Sequence, residues 1–205
     1  VVGGRVIPMF TNNGVPGAGA ARRDGVEKLA LGSVLLLFVA DALRMPPMTI
    51  GAVALIAAAA HGARLWLWRP WRTRAVPLVW ILHAAYGWIV VHLALRALAG
   101  PGWLLEMHAA HALTVGAIGG LTLGMMTRTA RGHTGRPLVA DRWERAIFLV
   151  IQAAALVRVF GGMLLPALYL SAIQLSGLLW AAAFGLYAVR YWPVLSRPRL
   201  DGKPG

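Results

Sequence analysis

Residues 76–97 read VPLVWILHAAYGWIVVHLALRA, a run of 22 residues that contains one charged side chain, Arg96. An α-helix needs about 20 mostly apolar residues to cross the hydrocarbon core of a bilayer. This run is therefore long and apolar enough to span a membrane. A chain that contains several such runs is expected to fold as a bundle of transmembrane helices.

Five further stretches resemble this one, and Gly and Pro residues separate most of them. The six predicted spans are Leu29–Leu43, Met48–Trp68, Val76–Ala97, Met107–Arg128, Ala146–Met163 and Leu165–Trp192. We expect an all-α fold, a polytopic transmembrane helix bundle of about six spans over residues 29–192. Residues 1–28 form a predicted N-terminal arm and residues 193–205 a predicted tail, both of them cytoplasmic.

The composition supports this fold class and gives an orientation. The 205 residues are 59% apolar and 13% charged, with 20 Lys and Arg against 7 Asp and Glu. Seventeen of the 20 basic residues lie in the arm, the tail and the loops after the second and fourth spans, which leaves Arg44, Arg96 and Arg158 for the other side. Basic loops stay in the cytoplasm, so both ends of the chain are predicted there. The charge is divided among four segments, which argues against a nucleic-acid partner.

Histidines are the main candidates for chemistry inside the predicted membrane region. The six are His61, His83, His92, His108, His111 and His133. A rise of about 1.5 Å per residue places five of them at two depths in the membrane. The inner level holds His61 and His83, and the outer level holds His92, His108 and His111. Each could also serve only to hydrogen-bond neighbouring helices. His133 falls in a cytoplasmic loop, where it could ligate a metal or shape the turn.

The fourth predicted span has two different faces. One helical stripe carries His111, Thr114, Thr122 and Met125, and the opposite stripe carries Gly116, Gly120 and Gly124. Small residues four apart allow a neighbouring helix to approach closely. The His/Thr stripe is then free to face a cavity or a cofactor.

The available side chains favour a metal that is held by histidine. The sequence has no cysteine, which excludes disulfides, thiolate-bound zinc and iron–sulfur clusters. Neutral imidazole is a ligand for haem iron and for copper. Arg158 lies toward the outer face of the fifth span, where its side chain either extends to the interface or pairs with an anionic group such as a haem propionate.

Several blocks of the sequence resemble the NnrS family. They are residues 3–11, 82–88, 111–119, 123–128, 131–138 and 190–205. The resemblance implies a bacterial inner-membrane protein that contains haem, and copper as a second cofactor, and that is linked to nitric oxide metabolism and tolerance. It also implies a truncated chain, because family members are usually about twice as long and these blocks resemble their C-terminal half.

The blocks contain four of the candidate site residues, and depth in the membrane adds two more. We expect His83, His111, Arg128 and Arg158 to bind the cofactor. We expect His83, His108, His111 and His133 to hold metal. The expected partners are membrane lipid, nitric oxide or a related small molecule, and the missing N-terminal half of the same protein.

Three functional interpretations follow from these features. The first is a haem-binding membrane protein, with copper as a further cofactor, that acts in nitric oxide metabolism or in resistance to nitric oxide stress. The second is a cofactor-free membrane transporter or permease component that uses the His/Thr stripe of the fourth span. The third is a structural partner whose histidines only pack.

Overall fold

The structure of the chain, a computed structural model, describes residues 1–202. These residues form seven helices and no strand, which confirms the all-α class. The helices are α1 (Val2–Gly14), α2 (Asp24–Ala42), α3 (Pro47–Leu67), α4 (Pro77–Ala99), α5 (Glu106–His133), α6 (Arg142–Leu164) and α7 (Pro166–Leu195). A short 3₁₀ turn, Pro70–Thr73, lies between α3 and α4.

Five of these helices, α3 to α7, are long and apolar enough to cross a bilayer. The protein is therefore a multi-pass membrane protein. The remaining predicted span, Leu29–Leu43, corresponds to the apolar part of α2, whose 19 residues include Asp24, Glu27, Lys28 and Asp41. The 15 residues of this predicted span extend only about 22 Å as a helix, less than the hydrocarbon thickness of about 30 Å. The six-span topology with both ends cytoplasmic stays a prediction, because it needs α2 as a span.

The loops and chain ends collect at two ends of the bundle. At one end, Ala21 N–H donates to Leu67 O at 3.0 Å, and Leu200 N–H donates to Thr134 O at 3.2 Å. These bonds fasten the N-terminal segment and the tail to the loops after α3 and α5. We call this end the arginine-rich end, since the predicted cytoplasmic segments meet there; Lys203, one of their basic residues, lies outside the described residues. The opposite, arginine-poor end contains the loops after α2, α4 and α6.

Helix α4 lies at the centre of the bundle and packs against the glycine stripe of α5. A Cβ atom added at Gly116 would lie 2.4 Å from the Trp88 ring, and one added at Gly120 would lie 2.8 Å from the Ala85 Cβ. The indole N–H of Trp88 donates to Gln152 Oε1 on α6 at 2.8 Å. The predicted close approach of a neighbouring helix to this stripe is confirmed, because only glycine leaves room for α4.

Two of the spans contain π-helical segments, Ala112–Ile118 in α5 and Val157–Gly161 in α6. A π-helical turn inserts one extra residue and is frequently found at functional sites. His111 directly precedes the first segment, and Arg158 lies in the second.

Helix α1 was not predicted, since residues 1–28 were expected to form an arm. It buries Gly4, Ile7, Pro8 and Thr11, which recur at the spacing of one helix face. This face covers residues of α3 and α4 at the arginine-rich end. The N-terminal segment therefore contributes directly to the interior of the bundle.

Candidate functional site

His83 on α4 is buried and is held by one hydrogen bond to α1. Its Nε2 atom lies 2.7 Å from Thr11 Oγ1, and that hydroxyl donates to Ile7 O at 2.8 Å. A threonine hydroxyl has one hydrogen, so it cannot also donate to the imidazole. Nε2 must therefore carry the proton and donate it to Thr11. The other ring nitrogen, Nδ1, has a free lone pair, and no residue of the described chain is its hydrogen-bond partner.

His83 also lines a cavity of about 970 Å³ at the arginine-rich half of the bundle. Its walls are mostly apolar and include two tryptophans, Trp71 and Trp80. Arg74 and Arg145 border it from the loop before α4 and from α6. Both arginines are exposed, and neither forms an ion pair within residues 1–202. The cavity therefore combines an imidazole, flat apolar walls and two cations that are free to bind an anion.

His61, the other histidine of the predicted inner level, has no free nitrogen. Its Nε2 atom lies 3.0 Å from Ala30 O, and its Nδ1 atom lies 2.6 Å from the Tyr86 hydroxyl. The carbonyl can only accept, so Nε2–H donates to it and Nδ1 accepts from the tyrosine. This leaves His61 unavailable as a ligand, and of the inner pair only His83 keeps a free lone pair.

The Tyr86 hydroxyl continues into a buried ion pair between α2 and α3. Arg64 Nη1–H donates to this hydroxyl at 3.1 Å, and Arg64 Nε–H donates to Glu27 Oε1 at 2.8 Å. A second bond from the same guanidinium reaches Glu27 Oε2. Gly4 of α1 lies against this guanidinium, where any side chain would collide with it. The cluster connects the four helices α1, α2, α3 and α4. It forms a second group of buried polar side chains beside His83.

The predicted outer-level histidines lie at the arginine-poor end and have different surroundings. His92 Nδ1–H donates to Ala109 O at 2.8 Å. His108 is buried, and its Nδ1 atom has no partner among the described residues. His111 is half-buried, and Arg158 and His108 are near enough for electrostatic interactions with its imidazole.

The structure divides the predicted site residues between the two ends. His83, Arg128 and His133 lie toward the arginine-rich end, and His108, His111 and Arg158 lie toward the other. The guanidinium of Arg128 stacks on the Phe10 ring at 3.9 Å and does not line the His83 cavity. The side chain of His133 is exposed, and the Nε atom of Arg158 is buried without a partner in the described chain.

The histidines do not combine into a metal cluster. Residues 1–202 contain no group of three or more His, Asp or Glu side chains that could hold a metal ion. The predicted metal-holding set of His83, His108, His111 and His133 is therefore not brought together at one point.

Three contributors to the His83 site were missed by the sequence analysis. Thr11 lies 72 residues before His83 and was treated as part of an arm. Arg74 and Arg145 were counted only as orientation charges of the loops. The spacing of Gly4, Ile7, Pro8 and Thr11 was the one available signal, since it marks a buried helix face.

A family model described as NnrS protein matches residues 1–199, nearly the whole chain. The chain belongs to the NnrS family. This membership confirms the resemblance and makes the NnrS chain a membrane protein related to nitric oxide. No curated protein and no solved structure matches it. The expected N-terminal half of the same protein stays a prediction.

Proposed function

We propose that this NnrS chain binds haem beside His83 and that it acts in nitric oxide metabolism or in resistance to nitric oxide stress. One observation carries the proposal, a buried imidazole that has a free lone pair and lines a cavity of about 970 Å³. This volume is at the upper end of the range of about 300–1,000 Å³ for cofactor and small-molecule sites. We place the protein in the bacterial inner membrane with both ends cytoplasmic, which the arginine distribution supports.

The chemistry of His83 suits a ligand of haem iron. Haem iron would need only one or two protein side chains as ligands and no cluster of them. A metal-binding histidine usually donates its other N–H to an acceptor that fixes the tautomer and the ring orientation. Thr11 is that acceptor here, and Ile7 O in turn fixes its hydroxyl. The Nδ1 atom has almost no exposed surface, so a bond to iron requires the surrounding wall to move.

The remaining walls fit the other parts of a haem. Trp71, Trp80 and Leu149 offer apolar surface to a flat macrocycle. Arg74 and Arg145 offer charge-assisted hydrogen bonds to propionates. Bound haem iron would supply a coordination site for a diatomic ligand such as nitric oxide. The protein's part is to hold the imidazole in one tautomer, to neutralise the propionates and to keep the macrocycle in an apolar environment.

The donor set within residues 1–202 does not fit a copper site built from three side chains. His108 and His111 lie one helical turn apart, yet no further histidine or carboxylate of the described chain completes their coordination. Copper remains an implication of the family, and we assign no step to it.

The alternative function, cofactor-free transport along the His/Thr stripe of α5, has less support. The hydroxyl of Thr114 is exposed and donates to Ala110 O of its own helix at 2.9 Å. The stripe residues do not line the His83 cavity. A transport pathway would need polar groups that face a shared water-filled space.

A visible spectrum of the purified full chain in detergent tests the proposal. We expect a Soret band that shifts when nitric oxide is added, that is lost in His83→Ala and that is retained in His133→Ala, which removes an exposed histidine. Arg74→Gln combined with Arg145→Gln should lower haem occupancy without loss of folded protein. A wild-type protein from haem-replete cells that has no Soret band would overturn haem binding and favour transport. A band that is unchanged in His83→Ala would overturn the assignment of the ligand.

A further inference from the structure

A second cavity, of about 600 Å³, lies at the arginine-poor end of the bundle. It is bounded by the loop between α4 and α5 and by the turn between α6 and α7. Its lining includes Trp103, Met107, His108, Met163, Pro166 and Tyr169. None of these residues lines the His83 cavity. The two cavities are therefore separate sites at opposite ends of the protein.

His108 is the only histidine within residues 1–202 that lines this cavity, and the hydroxyl of Tyr169, another lining residue, donates to the Met107 sulfur at 3.9 Å. The residue His108 is 6% exposed, and its Nδ1 atom is buried without a hydrogen-bond partner among the residues that the structure describes. His61, His83 and His92 each have at least one hydrogen bond through a ring nitrogen. A neutral imidazole has one N–H and one lone pair, and leaving a buried ring nitrogen unpaired is unfavourable. His108 can therefore form a hydrogen bond with the hydroxyl or carbonyl group of a ligand.

The rest of the lining selects for a neutral ring. Trp103 and Tyr169 supply flat aromatic surface, and Met107 and Met163 supply polarisable thioethers that pack well against rings. The lining contains no Lys, Arg, Asp or Glu. A phosphate head group would therefore find no cation there, whereas an uncharged ring with hydroxyl groups meets no unpaired charge.

The position of the cavity suits a ligand that also has a long apolar tail. It lies at the outer end of the spans, where Trp103 is 73% exposed. Leu164, Leu165 and Leu168, next to the cavity on the α6–α7 turn, are all more than half exposed. A tail that leaves the cavity can follow this leucine surface into the bilayer.

We propose that this cavity binds the head group of a membrane hydroquinone, with a ring hydroxyl hydrogen-bonded to His108. The aromatic and thioether walls contact the ring faces, and the exposed leucines contact the first part of the tail. Binding at this site does not depend on haem at His83.

The probe is trimethylhydroquinone, which has the ring and both hydroxyl groups but no tail. Binding to the full chain in detergent is measured by equilibrium dialysis under reducing conditions. Met163→Trp, which fills the cavity, gives the background from partitioning into micelles. The dimethyl ether of the same ring is the matched ligand, because it keeps the ring and its three methyl groups and cannot donate a hydrogen bond.

We expect His108→Leu to weaken hydroquinone binding about five- to tenfold, the effect of one hydrogen bond. The dimethyl ether should bind the wild type more weakly by a similar factor, and His133→Leu, which changes an exposed histidine, should bind the hydroquinone as the wild type does. If His108→Leu does not fold, the comparison of the two ligands on the wild type still tests whether a ring hydroxyl forms a hydrogen bond in the cavity. Equal affinity for the two ligands, or unchanged affinity in folded His108→Leu, would overturn the proposal and leave an apolar cavity that holds lipid chains. If dodecyl phosphate displaces the hydroquinone at a concentration below that of the hydroquinone itself, the proposal is overturned in favour of a phospholipid.

Discussion

Replacing Thr11 by valine tests the contact that fixes the tautomer of His83. Valine has nearly the shape of threonine, and the change replaces the hydroxyl with a methyl group. That hydroxyl is fully buried, accepts from His83 Nε2–H at 2.7 Å and donates to Ile7 O at 2.8 Å. The Ile7 carbonyl lies inside α1 and also accepts the helical hydrogen bond from the N–H of residue 11. Losing the second hydrogen bond, from the Thr11 hydroxyl, therefore costs this carbonyl little. The imidazole, in contrast, loses its one partner among the described residues.

The cost follows from the burial of the ring. A buried N–H group that loses its acceptor costs about 1–3 kcal/mol. Moving the proton to Nδ1 does not avoid this cost, because no described residue accepts a hydrogen bond from that atom. It also removes the lone pair that we assign to haem iron. We therefore expect Thr11→Val to lower the free energy of unfolding by about 1–3 kcal/mol and to lower haem occupancy.

Reversible unfolding in mixed detergent micelles, titrated with sodium dodecyl sulfate, measures the first effect, and the Soret band per folded protein measures the second. Thr11→Ser is the matched control, since it keeps the hydroxyl, and it should retain most of the stability and the haem. The reasoning is refuted if Thr11→Val unfolds within about 0.5 kcal/mol of the wild type, the size of an ordinary surface substitution.

Three further substitutions test other parts of the structure. Glu27→Gln leaves the buried Arg64 guanidinium without its carboxylate and should cost about 3–5 kcal/mol; a double-mutant cycle with Arg64→Met measures the coupling, and a coupling energy near zero would contradict the buried ion pair. Gly116→Ala adds a Cβ 2.4 Å from the Trp88 ring and should cost about 1–3 kcal/mol in the same unfolding assay, whereas Gly177→Ala, which meets open space, should be neutral or slightly stabilising. The interaction with Glu144, then the Trp143 N–H and the charge of Arg190, lower the pKa of Asp141 from 3.8 to about 2 against the opposing effect of burial. Because this pKa lies below its unfolded value, the stabilisation from Asp141 is complete above about pH 4 and is lost as the pH falls toward 2. The stability difference between the wild type and Asp141→Asn should shrink over that range, and a difference that does not change with pH would contradict the assignment.

The sequence predicted the long helices well because each contains about 20 apolar residues. Their ends were less accurate, since hydropathy does not mark where a helix continues into water. The predicted span Ala146–Met163 lies inside α6, which begins at Arg142 after a capping box of Asp141 and Glu144. That Asp-x-x-Glu pattern was present in the sequence and would have given the correct start.

The site was only partly predictable, because its key contacts join distant residues. Hydropathy and depth selected His83, yet they could not distinguish it from His61, whose two nitrogens are occupied by Tyr86 and Ala30. Arg74 was recognised as an orientation charge. The rule that basic loops stay in the cytoplasm says on which side of the membrane a residue lies, but not which cavity it borders. The π-helical segments left no signal, because one extra residue in a turn does not change the hydropathy of a span.

The position of α1 has a consequence for how the protein is made. Thr11 is synthesised 72 residues before its partner His83. Translation at about 5–20 residues per second separates the two by roughly 4–14 s. During that interval α1 exists without α4, and its amphipathic face is expected to rest on the membrane surface. The tautomer of His83 is therefore set only after α4 has entered the bilayer and α1 has left the surface to dock on it. Loading of the proposed haem would therefore be a late step of assembly, because a chain that stalls before α4 lacks His83.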